Sequence, residues 1–239
     1  MSEISSIIEF LEAITELSSM QVYRGQAREE WELSPSIARI QLEKLDSKYQ
    51  TGWRGIEDDL LTRFQKHAVR FLEKEPKSKI EWMMHAQHHG VPTRLLDWST
   101  NPLKALYFAV ENPEHDDTNG IVFIYYPRGW RTSSKDVDGE EEKVITSFHP
   151  QFINERIVAQ DGCFTLFPFP RKLEDDTFSD AEDGFMQLPN KMPTEKIVIL
   201  KEAKKLIRKQ LYLLGITDVS MFPDLDGLAK SIRRDFGCM

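Results

Sequence analysis

The chain has 239 residues, 40% hydrophobic and 10% aromatic, enough to bury a sizeable core. Its formal net charge of -8 argues against general adhesion to nucleic acid, which needs a surplus of Lys and Arg along one face, but leaves room for a local basic patch. Two cysteines, Cys163 and Cys238, are too few and too far apart for a disulfide framework or a metal knuckle, so a reducing cytoplasm is the expected location. The first twenty residues carry no basic run before their apolar positions and are interrupted by Glu3, Glu9, Glu12 and Glu16, so neither a signal peptide nor a membrane span is expected there.

Ile4, Ile7, Ile8, Leu11, Ile14 and Leu17 recur every three or four residues and predict an amphipathic helix over 4–18. Gln21-Val22-Tyr23 reads as a short strand that Gly25 ends, with a glycine there allowing close backbone approach. A weak helical stretch near Ile37 to Leu45 precedes a long helix from Ile56 to Leu72. Residues 79–88 predict a further helix, closed by Gly90 with Pro92 beyond it. Thr93 to Trp98 should be a short buried strand, after which Ser99 or Thr100 caps a helix with Pro102 in its first turn.

Behind the Asn119-Gly120 turn, 121–126 is the strongest strand in the chain. A charged loop, expected to be mobile, covers 131–143. Cys163 to Phe167 and Lys196 to Leu200 are two more strands, and the Pro- and Asp-rich connection over 168–194 is long enough for a lid or binding loop. Leu206, Ile207, Leu211 and Leu214 are the expected inner face of a helix that Gly215 stops. A last helix over 224–236 is expected to turn Leu225, Leu228, Ala229 and Ile232 inward. Helices and strands intermingle without strict alternation, which favours an α+β fold with helices packed around a small mixed sheet.

Two polar segments stand out. Arg24, after a strand and before Gly25, would offer a guanidinium fork to a phosphate or carboxylate, or else form a structural ion pair. In His88-His89-Gly90-Val91-Pro92-Thr93-Arg94-Leu95-Leu96-Asp97-Trp98-Ser99-Thr100, Arg94 and Asp97 are three apart on a strand and so point to opposite faces. Each then needs its own partner or ligand. His85, His88 and His89 lack a third ligand nearby and an HExxH pattern, so no metal is expected. Neither a nucleophile elbow nor a phosphate loop occurs, and Cys163 reads as a core residue. Gln160, at the entry to a strand, is either a turn residue or a hydrogen-bonding group for a ligand.

YRGQ at 23–26, HHGVPTRLLDWSTNPLKALYFA from 88 to 109, RIVAQDGCFT from 156 to 165 and LGITDVSMFPDLDGLAKSI from 214 to 232 resemble the FRG domain family, in its motif order and over most of the chain. The resemblance implies one domain over 1–239, with an N-terminal helix in 1–20 and a helical part over 201–239. It also resembles divergent ADP-ribosyltransferases, which implies a matching fold and NAD as the substrate. The resemblance further implies that Arg24 holds the NAD phosphates, with Tyr23, Gly25, His89, Thr93, Arg94 and Thr100 around it. Ser99 and Gln160 then fall at positions of catalytic motifs. Since Gln160 stands where such enzymes carry a glutamate, Asp97, Glu155 or Asp161 would supply the charge. Similarity to toxins of phage-defence systems implies an RNA target, blocked translation and a neutralising antitoxin protein, with Arg24, Arg94, Arg128 and Arg156 lining one groove.

Overall fold

A computed structural model describes residues 2–15, 20–41, 44–46, 52–131, 137, 145–150, 155–168 and 194–238. Most of the loops expected over 131–143 and 168–194, and parts of the first helix and of the stretch to Leu45, lie outside these residues.

The strands are β1 (Ser2–Ile4), β2 (Val22–Gln26), β3 (Leu95–Ser99), β4 (Gly120–Tyr125), β5 (Trp130–Arg131), β6 (Thr146–Phe148), β7 (Gly162–Leu166) and β8 (Thr194–Ile199). They form one mixed eight-stranded sheet in the order β1-β8-β4-β2-β3-β7-β6-β5. The α+β class is therefore observed. β4 shows why the sheet is covered on both faces. Val122 and Ile124 enter one apolar cluster with Ile4, Phe10, Leu106 and Ile207, whereas Ile121, Phe123 and Tyr125 enter another with Leu33, Ile37, Trp53 and Trp98. Two-residue alternation delivers alternate side chains to opposite cores.

The helices are α1 (Ile7–Thr15), α2 (Gly52–Ala68), α3 (Lys79–His88), α4 (Pro102–Val110), α5 (Glu155–Ala159), α6 (Lys201–Leu213), α7 (Asp218–Met221) and α8 (Leu225–Asp235). α3 falls where the sequence predicts it, and Gly90 adopts a left-handed φ of 80° just past its end. α4 crosses β2 so closely that a Cβ on Gly25 would lie 1.8 Å from the Ala105 carbonyl oxygen. The close approach expected at Gly25 is thus made by a helix backbone.

Several expectations are corrected. Ile4 belongs to β1, which pairs in parallel with β8 opposite Ile199, so the first helix starts only at Ile7. β2 continues through Gly25 to Gln26 because β4 pairs with it along its whole length. The cap of α4 is Asn101, whose Oδ1 accepts from the Leu103 amide at 3.0 Å, while Ser99 stays in the sheet. In α6 the inner face is Ala203, Lys204, Ile207 and Leu211, leaving Leu206 and Leu214 exposed. Lys204 is wholly buried and its Nζ donates to the carbonyls of Ala27 and His115, each at 2.6 Å, with burial pushing its pKa down.

The last correction is the largest. α8 turns Gly227, Lys230 and Arg234 toward the molecule, and Leu225, Leu228, Ala229 and Ile232 away from it. Lys230 pairs with Glu111, and Arg234 holds Asp218 through Nε at 2.5 Å and Nη2 at 3.0 Å, beside a Tyr107 hydroxyl that donates to the same carboxylate. Buried charges need these partners, so they fix the rotation of the helix and leave its apolar residues outside.

Candidate functional site

β2 and β3 are neighbours at the centre of the sheet, yet they share only the register pair Tyr23 and Ser99. Beyond it β2 continues along β4 and β3 along β7, so the two strands part. Into this gap Arg24 extends Nη1, which donates to the Asp97 carbonyl at 2.7 Å and contacts the Asp97 carboxylate at 2.8 Å. A side chain thus occupies a place where ladder hydrogen bonds have stopped.

The gap forms a cavity of about 90 Å³, bordered by Arg24, Asp97, Ser99, Phe108 and Gln160 among others. It adjoins a second lobe of about 140 Å³ between α3 and α5, lined by Gln87, His88, Arg156 and Ile157. Asp97, Ile157, Gln160 and Phe164 border both lobes, and among the described residues Asp97 is the one carboxylate in the lining. Its side chain is 51% exposed. Desolvation by the surrounding walls pushes its pKa up, but the Arg24 charge and hydrogen bonds outweigh this and hold it below the ordinary value.

A chain of hydrogen bonds sets the carboxylate from the other side. The Thr93 hydroxyl donates to Gln87 Oε1 at 2.7 Å, which leaves the Gln87 amide nitrogen to donate to Asp97 Oδ1 at 3.0 Å. Arg156 lies with its guanidinium 4.5 Å from the Phe222 ring centre, and among the described residues no carboxylate pairs with it. Among the described residues, buried Arg24 Nε has no hydrogen-bond partner. Burial and then the Arg156 charge lower the pKa of His88, so His88 is neutral around pH 7.

Tyr23, Arg24, Gly25, Asp97, Ser99 and Gln160 are brought together as lining residues. Ser99 Oγ donates to the Gln160 carbonyl at 2.7 Å, and Gln160 Nε2 donates to the Met221 carbonyl at 3.1 Å. Gln160 lies in the turn after α5, one residue before Asp161, whose φ is 47°. Asp161 is held by Lys104 at 2.6 Å and accepts from the Thr100 amide through its carbonyl at 3.0 Å, so Thr100 braces this turn from beside the cleft. Glu155 is exposed at the start of α5.

Other expected residues stand elsewhere. Thr93 is fully buried and acts through Gln87. His89 is exposed at the end of α3, its ring against His88 and outside the lining. Arg94 is buried on the opposite face from Asp97, with Nε 3.1 Å from both Glu57 carboxylate oxygens and Nη1 2.7 Å from the Phe167 carbonyl. Arg128 is exposed beyond β4. The four-arginine groove is therefore corrected: Arg24 and Arg156 share the cleft, while Arg94 is consumed by a core ion pair and Arg128 lies outside. Sequence reasoning passed over Gln87, whose contribution depends on a bond to Thr93 six residues away that no local pattern announces. Cys163 is a core residue, its thiol pushed up to about 12 by burial and, less strongly, by the charge of Asp97.

Residues 19–118 match the family model described as FRG domain. Over this stretch the chain is similar to an FRG domain. No curated protein and no solved structure matches the chain. The FRG match takes in β2, α2, α3, β3 and α4, and so contains both strands that part around Arg24, whereas α5 and β7 complete the cleft from outside it. Among the described residues no group of three or more potential metal ligands occurs, and no helix is long and apolar enough to cross a membrane.

Proposed function

We propose that the cleft binds NAD and that the protein is an NAD-dependent ADP-ribosyltransferase. The observation carrying this reading is the parted pair of central strands with a guanidinium and an ionised carboxylate facing each other in the gap. The Arg24 guanidinium and Arg156 offer positive charge for a pyrophosphate, and the Asp97 carboxylate lies between the two lobes, where it would stabilise positive charge at a ribose C1′. In the reaction the nicotinamide leaves C1′ with the bonding electron pair, and an acceptor oxygen or nitrogen attacks C1′ and gives up its proton. Asp97 takes the part that a glutamate plays in related chemistry, and Gln160 orients the ribose as a neutral amide. Each lobe is smaller than the roughly 300 Å³ of an ordinary ligand pocket, so the adenosine end of NAD would lie outside them.

By resemblance, the acceptor is RNA, the consequence is blocked translation in a phage-defence toxin, and an antitoxin protein holds the activity in check. Free Cys163 and Cys238 are compatible with a cytoplasmic setting. Incubation of the purified protein with labelled NAD, RNA and cell lysate is the test. Label should transfer with the natural chain and be lost with Asp97→Asn. Absence of transfer together with absence of NAD binding by calorimetry would sink the reading.

One observation favours a second reading, a non-catalytic sensor of nucleotides or other phosphates. Gln160 replaces the expected acid, and its amide is committed to the Met221 carbonyl. NAD binding with no turnover on any acceptor would decide for the sensor.

A further inference from the structure

A cavity of about 430 Å³ lies apart from the cleft, between α6 and the C-terminal end of α8, and shares no lining residue with either lobe. Pro113, Tyr212, Leu213 and Ile216 make most of its wall apolar. Unlike the lobes of the cleft, it falls within the roughly 300–1,000 Å³ that small-molecule sites occupy.

The polar groups of the wall fall into two kinds. The Tyr107 hydroxyl donates to Asp218, Arg234 binds the same carboxylate, and Arg208 binds Asp116 while donating to the Val110 carbonyl at 2.6 Å. These groups are already engaged with one another. Lys205 and Lys209 are exposed, and among the described residues no carboxylate pairs with either. Lys205, Lys209 and Tyr212 follow one another on α6 at intervals of four and three, so both ammoniums stand on the face that carries the Tyr212 ring. Asp235, from α8, is the one lining carboxylate outside the ion pairs among the described residues. Two free ammoniums against one carboxylate leave this cavity positive in a chain whose net charge is -8.

The geometry points to a second ligand site here, for a small apolar molecule bearing one anionic group. Its apolar body lies among Pro113, Tyr212 and Ile216, and its anion meets Lys205 and Lys209 on the α6 wall. A neutral apolar molecule would leave the two ammoniums without a counter-charge, and a cation would be repelled by them. The site is independent of the NAD reading, and neither requires the other.

Fluorescence titration of the full chain with anilinonaphthalene sulfonate, an aromatic body with one sulfonate, tests this. Binding should be saturable and one to one, and phenylnaphthylamine, which has the same body without the sulfonate, should bind at least tenfold more weakly. Lys205→Glu with Lys209→Glu should weaken the sulfonate at least tenfold and leave the neutral probe unchanged, whereas Tyr212→Ala should weaken both. All three side chains are exposed, so the melting temperature should not move. Leu228→Glu with Ile232→Glu, on exposed apolar residues of α8 outside the lining, should leave both probes unaffected. A natural chain that shows no saturable binding of the sulfonate up to about 100 µM overturns the inference. So does binding that neither the lysine pair nor Tyr212 alters, or binding that disappears with Leu228 and Ile232, which would put the probe on the outer face of α8.

Discussion

A single nitrogen of Arg24 meets Asp97 twice, at the backbone carbonyl and at the carboxylate, across the gap where the central strands β2 and β3 share a single register pair. The contact both bridges the gap and keeps the carboxylate charged. Lysine has one ammonium and no planar fork, so Arg24→Lys would keep the charge and lose the geometry. NAD affinity, read by calorimetry, should fall at least about tenfold, which is about 1.4 kcal/mol. Unchanged affinity would remove Arg24 from the ligand site.

Gln160→Glu brings back the residue type expected for transferase chemistry, but the structure argues against a gain. The amide donates to the Met221 carbonyl, and a carboxylate there would offer an acceptor to an acceptor. The variant should be less stable by about 1–3 kcal/mol in urea denaturation, with no rise in label transfer. A faster enzyme would mean that the carboxylate role belongs to position 160 and not to Asp97.

Arg94→Met leaves Glu57 buried without its Arg94 partner, with Lys79 at 3.4 Å. Breaking one side of a buried pair typically costs about 3–5 kcal/mol. A large drop in melting temperature is expected, while the fraction that folds should bind NAD with natural affinity. A selective loss of binding at unchanged stability would return Arg94 to the site.

Stability should also fall in mild acid. Burial lowers the pKa of His85, His88 and His149, so the unfolded chain takes up their protons first as the pH drops. Their contribution is present above about pH 6.5 and is lost as the pH falls below that value. Burial raises the Asp97 and Asp218 carboxyls, but Arg24 and Arg234 lower them further, so their contribution persists above the ordinary carboxyl range and disappears as the pH falls through their depressed values. Urea midpoints measured from about pH 8 to pH 5 should decline mainly below pH 6.5, and less in His88→Gln. A midpoint independent of pH across this range would contradict the assigned burial.

Much of this arrangement is legible in the sequence. The stop signals Gly90 and Pro92 mark α3, a run of β-branched and aromatic residues behind the Asn119-Gly120 turn marks β4, and spacing alone places Arg94 and Asp97 on opposite faces. What periodicity does not reveal is which stripe of a helix faces inward when both stripes have a claim. In α8 the ion pairs of Lys230 and Arg234 with distant Glu111 and Asp218 override the leucines, and in α6 the buried ammonium of Lys204 shares the inner face with Ile207. Gly25 shows the same limit in the site itself. Its need for a close neighbour is readable from residue type, but that the neighbour is α4 is a fact of topology.

Lys204 finally bears on how far the recognisable stretch can stand alone. Its ammonium, from α6, grips the carbonyls of Ala27 and His115, both of which lie within 19–118 while Lys204 does not. β4, the partner of β2 along its full length, also lies beyond residue 118. Excising 19–118 would strip a neighbour from the strand that carries Arg24 and leave two clasped carbonyls without their cation. The matched stretch is therefore embedded in a larger folding unit, and a fragment cut at its limits is a poor substitute for the full chain.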